Sequence, residues 1–168
     1  AIALFSGGYG TMDEAFEVLT LVQTGKATIV PVVLLELGDK PYWRIWDRWT
    51  RGTLVERGLI DAHDTAFYRI VETVDAAVEE ITGFYRVFHS ARIVGDNLVF
   101  RLQRSLTDTA VAELQHRFED ILKGPVDQTP GPVPQEANEH PDLPRLILPF
   151  NRTSYGRLRK LIDFLNTL

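Results

Sequence analysis

Apolar residues 1–5 form an unbroken run, broken at once by Ser6-Gly7-Gly8-Tyr9-Gly10-Thr11, and helical spacing then takes over with Met12, Ala15, Phe16, Leu19 and Val22. A continuous apolar run predicts a strand buried on both faces, and the change to a period near 3.6 predicts a helix over 11–24 that stops at Gly25. The order is therefore strand, glycine turn, helix. A second run predicts a strand over 28–35, and Pro41 opens an aromatic helix carrying Tyr42, Trp43, Trp46 and Trp49 that ends near Gly58. A third strand is predicted over 66–72, followed by a short helix over 73–81 with Gly83 as its stop. From Tyr85 the pattern changes. Residues 86–94 and 98–103 alternate around Gly95-Asp96-Asn97 and predict a hairpin. A helix over 107–122 follows, with Thr107 or Asp108 as its cap, then a proline-rich loop over 124–144, a strand over 145–150 and a closing helix over 153–168 with Asn151 as cap. The fold class read from this order is α/β. Residues 1–84 form the C-terminal half of a Rossmann-like parallel sheet with helices on both faces, and residues 85–168 a small appended α/β unit.

If residues 1–5 are a central strand, they need neighbours on both sides, yet only two further parallel-strand candidates follow. The expectation is that the chain is the C-terminal part of a longer fold whose N-terminal half lies elsewhere. The single Met, Met12, agrees with that expectation.

The glycine turn concentrates the candidate chemistry. Gly7, Gly8 and Gly10 allow a tight bend and a close backbone approach to a ligand, and the amides at the start of the following helix carry partial positive charge. A phosphate is the expected guest. Glu14 sets this turn apart from a plain phosphate loop, because a second negative charge on the first helical turn opposes anion binding unless the carboxylate takes part in chemistry. Asp13 reads as an ordinary N-terminal helix charge. Glu17, one turn beyond Glu14, is a further candidate contact, as are Ser6 and Tyr9.

The string Ser6-Gly7-Gly8-Tyr9-Gly10-Thr11-Met12-Asp13-Glu14 resembles the signature Pro-Gly-Gly-x-Gly-Thr-x-x-Glu of the Lonely Guy (LOG) family, long labelled lysine decarboxylases. It departs from that signature at Ser6, where the family has proline. The resemblance continues through Glu17-Val-Leu-Thr-Leu-Val-Gln-Thr-Gly-Lys26, the strand at 29–35, the aromatic helix after Pro41 and Gly58-Leu-Ile-Asp61, covering roughly residues 1–83. It implies a phosphoribohydrolase that cleaves the N-glycosidic bond of a nucleoside 5'-monophosphate to free base and ribose 5-phosphate, with no metal and no other cofactor. It further implies that Gly7, Gly8, Gly10 and Thr11 hold the phosphate through backbone amides and one hydroxyl, that Glu14 faces the ribose as the catalytic carboxylate, and that the protein is a homodimer. The family also uses an arginine upstream of the motif, outside this chain. The alternative reading is a non-catalytic carrier or sensor of similar fold that binds a nucleotide or cofactor without turnover.

Charge and composition narrow the classes. A formal net charge of −5 argues against a nonspecific binder of nucleic-acid polymer or membrane surface, both of which favour a concentrated basic face. The absence of cysteine removes disulfides and thiolate chemistry. No stretch approaches the length of a membrane helix, and the protein reads as cytoplasmic. His63, His89, His116 and His140 are too scattered in sequence for a metal signature. Trp43, Trp46 and Trp49 share a helix face that reads as core or subunit interface in preference to a base-stacking platform.

Overall fold

The computed structural model describes residues 1–136 and 139–168, so two residues of the predicted proline-rich loop lie outside the described residues. The chain divides into two compact units, residues 1–83 with 155–160, and residues 84–154 with 161–168.

The first unit is built on a three-stranded parallel sheet in the order β1 (Ile2–Phe5), β2 (Val32–Leu35), β3 (Tyr68–Val71). Ile2 pairs with Val32, and Val32 with Tyr68, so the strands run in step. Helix α1 (Tyr9–Gln23) and helix α2 (Trp43–Trp49) cover one face, where Ala15, Val32, Leu34, Trp43, Trp46 and Tyr68 form a core with Ile2, Leu4 and Ile70 packed against it. Helix α3 (Val74–Phe84) covers the other face through Ala77 and Ile81, over Val33, Leu35 and Val71. Alternate residues of each strand thus supply the two faces, as the period of two requires. The Rossmann-like α/β reading holds.

Several local expectations are corrected. Among the described residues β1 pairs with β2 alone, and its residues alternate between half-buried and exposed, Phe5 being 56% exposed. The central strand is β2, whose four residues are all buried. β2 is also shorter than its apolar run, because Pro31 lacks an amide for the ladder and contributes only its carbonyl, which accepts from Ile2 N at 2.9 Å. α2 continues as a π-helical stretch over Thr50–Val55, so the aromatic helix stays wound almost to Gly58, which takes a left-handed φ of +67°. β3 is preceded by a 3₁₀ turn, Ala62–Phe67, whose last two residues were predicted as strand; Asp61 caps it by accepting from His63 N at 2.7 Å. Gly83 lies inside α3 and does not end it.

The second unit holds a four-stranded antiparallel sheet in the order β4 (Phe88–Val94), β5 (Asn97–Leu102), β7 (Arg145–Leu148), β6 (Asp127–Thr129). The hairpin turns at Gly95, φ +57°, as its sequence predicted. Helix α4 (Asp108–Arg117) starts at Thr107, whose side chain accepts from Ala110 N at 3.2 Å. The 3₁₀ turn Glu119–Ile121 follows where more α-helix was predicted. Strand β6 lies within the segment read as loop. Three residues flanked by prolines are too short to show an alternation, and it is the pairing of Asp127 with Ile147 and Thr129 with Arg145 that makes them a strand. Helix α5 (Tyr155–Leu165) closes the chain; Asn151 accepts from Thr153 N at 3.0 Å, tightening the turn ahead of the helix.

Candidate functional site

β1 delivers the chain to the carboxyl end of the parallel sheet, the edge at which open α/β sheets bind ligands. Ser6 and Gly7 make the turn, Gly8 takes the N-cap position with extended backbone, and α1 begins at Tyr9. This is two residues earlier than predicted. Glu14 is consequently the sixth helical residue, on the second turn and not the first. No side chain caps α1. Its first helical bond runs from Met12 N to Gly8 O at 3.2 Å, which leaves the amides of Tyr9, Gly10 and Thr11 ahead of the helical ladder. A Ser or Asp at position 8 would meet one of these donors internally. Glycine leaves them to an acceptor from outside.

The glycines differ in what they make possible. A Cβ on Gly7 would stand 2.1 Å from Thr11 Oγ1 and 2.9 Å from Thr11 Cβ, so Gly7 is needed for the threonine side chain to fold back over the turn. At Gly8 and Gly10 a Cβ would meet nothing within 4 Å. Their missing side chains leave open surface above the turn, where a ligand could come into contact with backbone. Ser6 through Gly10 are exposed, Tyr9 almost fully at 98%.

Glu14 is exposed, four residues after Gly10 and three after Thr11, a spacing that places it on the same side of α1. No ion pair holds it to another described residue. Glu17, also exposed, stands one turn further along the same side, and Asp13 points into solvent on a neighbouring stripe. The structure thus brings Ser6, Gly7, Gly8, Tyr9, Gly10, Thr11 and Glu14 together at the sheet edge, with Glu17 behind them.

Two residues that the sequence did not single out complete this edge. Glu36 directly follows β2 and is 6% exposed. One of its carboxylate oxygens accepts from both Tyr42 N and Arg44 N at 2.9 Å, and the other faces Arg44 Nε at 3.2 Å. Arg44 also pairs with Glu72, the residue after β3. Tyr42 then reaches back to the motif, its hydroxyl donating to Gly7 O at 2.5 Å. An acid directly after an apolar strand, at the ligand edge of the sheet, was the available signal for Glu36. Tyr42 was visible only as one of a cluster of aromatics.

The tryptophans divide. Trp43 and Trp46 are buried in edge-to-face contact with ring centroids 5.9 Å apart, and Trp46 packs on Tyr68 at 5.1 Å. Trp49 is 47% exposed beside Phe16 of α1. The core reading holds for the first two. Arg51 is held by Asp47 at 2.9 Å, and Asp47 also accepts from the Tyr68 hydroxyl at 2.5 Å. Burial, reinforced by Asp47, pushes the Tyr68 hydroxyl well above the ordinary tyrosine value, so it stays a donor. Behind α1, away from the glycine turn, Gln23 donates to Asp64 at 2.5 Å in a small cavity bounded by Phe16, Trp46 and Tyr68; burial pushes the Asp64 carboxyl up. Among the described residues no group of three or more His, Asp or Glu side chains could hold a metal ion. No helix of the described residues is long and apolar enough to cross a membrane.

Residues 1–81 match the family described as "possible lysine decarboxylase", the label long carried by the LOG proteins, and the matched segment contains the whole glycine turn with Glu14. No curated protein matches the chain.

Proposed function

We propose, taking as premise that residues 1–81 carry a LOG-type domain, that the protein hydrolyses the N-glycosidic bond of a nucleoside 5'-monophosphate, releasing free base and ribose 5-phosphate. The observation that carries this reading is one helix end. Uncapped amides at Tyr9, Gly10 and Thr11 open onto the bare surface of Gly8 and Gly10, and Glu14 stands on the same side one turn away. The amides suit the phosphate. The carboxylate suits the other end of a ribose phosphate, where departure of the base from C1' builds positive charge on the sugar. A carboxylate near that centre lowers the barrier by stabilising the charge or by orienting the attacking water.

The bond that breaks is C1'–N, and the bond that forms is C1' to the oxygen of water. One proton of that water leaves with the base, and Glu14 is the group placed to receive and pass it on. Neither electron transfer nor a further co-substrate is needed. Phe16 and Trp49, exposed together on α1 and α2, suit the homodimer contact that the family implies.

The test is incubation of the full-length protein with a panel of nucleoside 5'-monophosphates and the matching nucleosides, with free base measured by chromatography. Release from monophosphates alone is the expected result. Binding without release of any base would replace the hydrolase with the carrier or sensor reading.

A further inference from the structure

We propose that Tyr42 is a positioning residue for the phosphate cradle, acting through the Gly7 carbonyl to aim the Gly8 amide at the ligand. The inference rests on the phosphate-binding role of the glycine turn and adds to it a residue outside the motif. A trans peptide unit is planar, with its C=O and N–H directed to opposite sides, and the described residues contain no cis peptide bond. Whatever fixes the Gly7 carbonyl therefore fixes the Gly8 N–H in the opposite direction. The Tyr42 hydroxyl fixes it, by a 2.5 Å hydrogen bond. The Gly8 amide is turned away from Tyr42, on a residue whose missing side chain leaves open space.

Glycine gives this turn no conformational preference of its own, so the peptide unit between Gly7 and Gly8 would otherwise be free to rotate. Tyr42 can hold it because Tyr42 is itself held. Glu36, anchored at the end of the fully buried β2, accepts from the Tyr42 and Arg44 amides. The Tyr42 ring stands edge-on to Trp43 at 4.9 Å, and Trp43 is completely buried. The path runs from the central strand through a buried carboxylate and an aromatic ring to one amide of the cradle. An amide aimed in advance makes its full contribution to binding without first being ordered.

The experiment uses the full-length protein, its Y42F variant and E36Q, with ribose 5-phosphate as the binding probe and adenosine 5'-monophosphate as the substrate. Calorimetry with ribose 5-phosphate is expected to show affinity about tenfold weaker in Y42F, the loss of one well-aimed hydrogen bond. KM for the monophosphate should rise by about the same factor while kcat stays within about twofold, since uniform binding and not the transition state is affected. In amide NMR the Gly8 resonance should move on adding ribose 5-phosphate to the native protein and move less in Y42F, at an unchanged thermal midpoint. E36Q should shift Kd in the same direction. Native binding with an unaltered Kd and Gly8 response in Y42F would overturn the role of Tyr42 alone. No binding of ribose 5-phosphate by the native protein would overturn the phosphate reading itself, and the role of Tyr42 with it.

Discussion

Glu14 and Glu136 are both carboxylates, and their surroundings give them opposite work. Glu14 is exposed and held by no ion pair among the described residues, which suits a group that must meet a substrate. Replacing it with Gln keeps size and hydrogen bonding but removes the charge and the proton acceptor. Turnover is expected to fall by about 10²–10⁴-fold, the usual range for a lost general acid–base group, while ribose 5-phosphate binding is retained; unchanged hydrolysis would remove Glu14 from the mechanism. Glu136 is buried between arginines: Arg145 Nε reaches it at 2.7 Å and Arg101 Nη2 at 2.7 Å, with Arg145 wholly buried. Burial alone would raise this carboxyl, but its bonds to Arg145 and Arg101 outweigh burial and hold it below the ordinary range. The motif residues were legible in sequence because they fall within nine consecutive positions that resemble a family signature. Glu136 was not, since its arginines lie 35 and nine positions away and only the fold brings them together.

That arginine cluster explains how a segment that reads as linker becomes part of a folded element. Arg145 on β7 donates to the carbonyls of Glu139, His140 and Leu143 as well as to the Glu136 carboxylate, and so gathers these four residues around its own guanidinium. His140 meets His89 of β4 with ring centroids 4.6 Å apart, although the two are far apart in sequence. The pH dependence follows from the sign of the Glu136 shift. A carboxyl whose folded value is depressed stabilises the protein fully above its unfolded value, and the contribution is lost as pH falls through the folded one. Urea midpoints of the native chain should therefore fall between about pH 5 and pH 3, and E136Q should flatten that decline while lowering the midpoint at pH 7. Truncating Arg145 to Ala leaves the buried Glu136 carboxylate to Arg101 alone and one of its oxygens without its arginine partner, so the urea midpoint at pH 7 is expected to fall. A pH profile of E136Q parallel to that of the native chain would show that other acids carry the acid sensitivity.

At the scale of the whole chain, the family match and the first compact unit do not end in the same place. The match stops at residue 81, yet the unit also includes 155–160 from the start of α5. Those residues are tightly fitted. A Cβ on Gly25 would lie 2.1 Å from the Tyr155 hydroxyl, and one on Gly156 would lie 2.5 Å from the backbone of His63, so both glycines are required for this approach. The buried Arg159 pairs with Glu80 of α3 at 2.8 Å, and Lys160 reaches His63 at 2.7 Å. None of this was visible in the sequence. The amphipathic pattern of α5 announces a helix without saying where each of its turns is buried, and residues 85–168 read as a separate appendage. The consequence is that a fragment ending at residue 84 contains every motif residue but lacks one of the pieces that packs its own unit. Its thermal midpoint is expected to lie well below that of the full chain, since each ~1 kcal/mol lost shifts the midpoint by about 4–8 °C in a domain of this size. Calorimetry of both would decide it, and a fragment as stable and cooperative as the full chain would mean that 155–160 rest on the unit without supporting it. If the fragment is weakened as expected, a loss of hydrolysis on removing residues 85–168 cannot be assigned to missing substrate contacts in that region. Activity in the truncated protein must then be compared at a temperature where the helix bearing Glu14 is still folded.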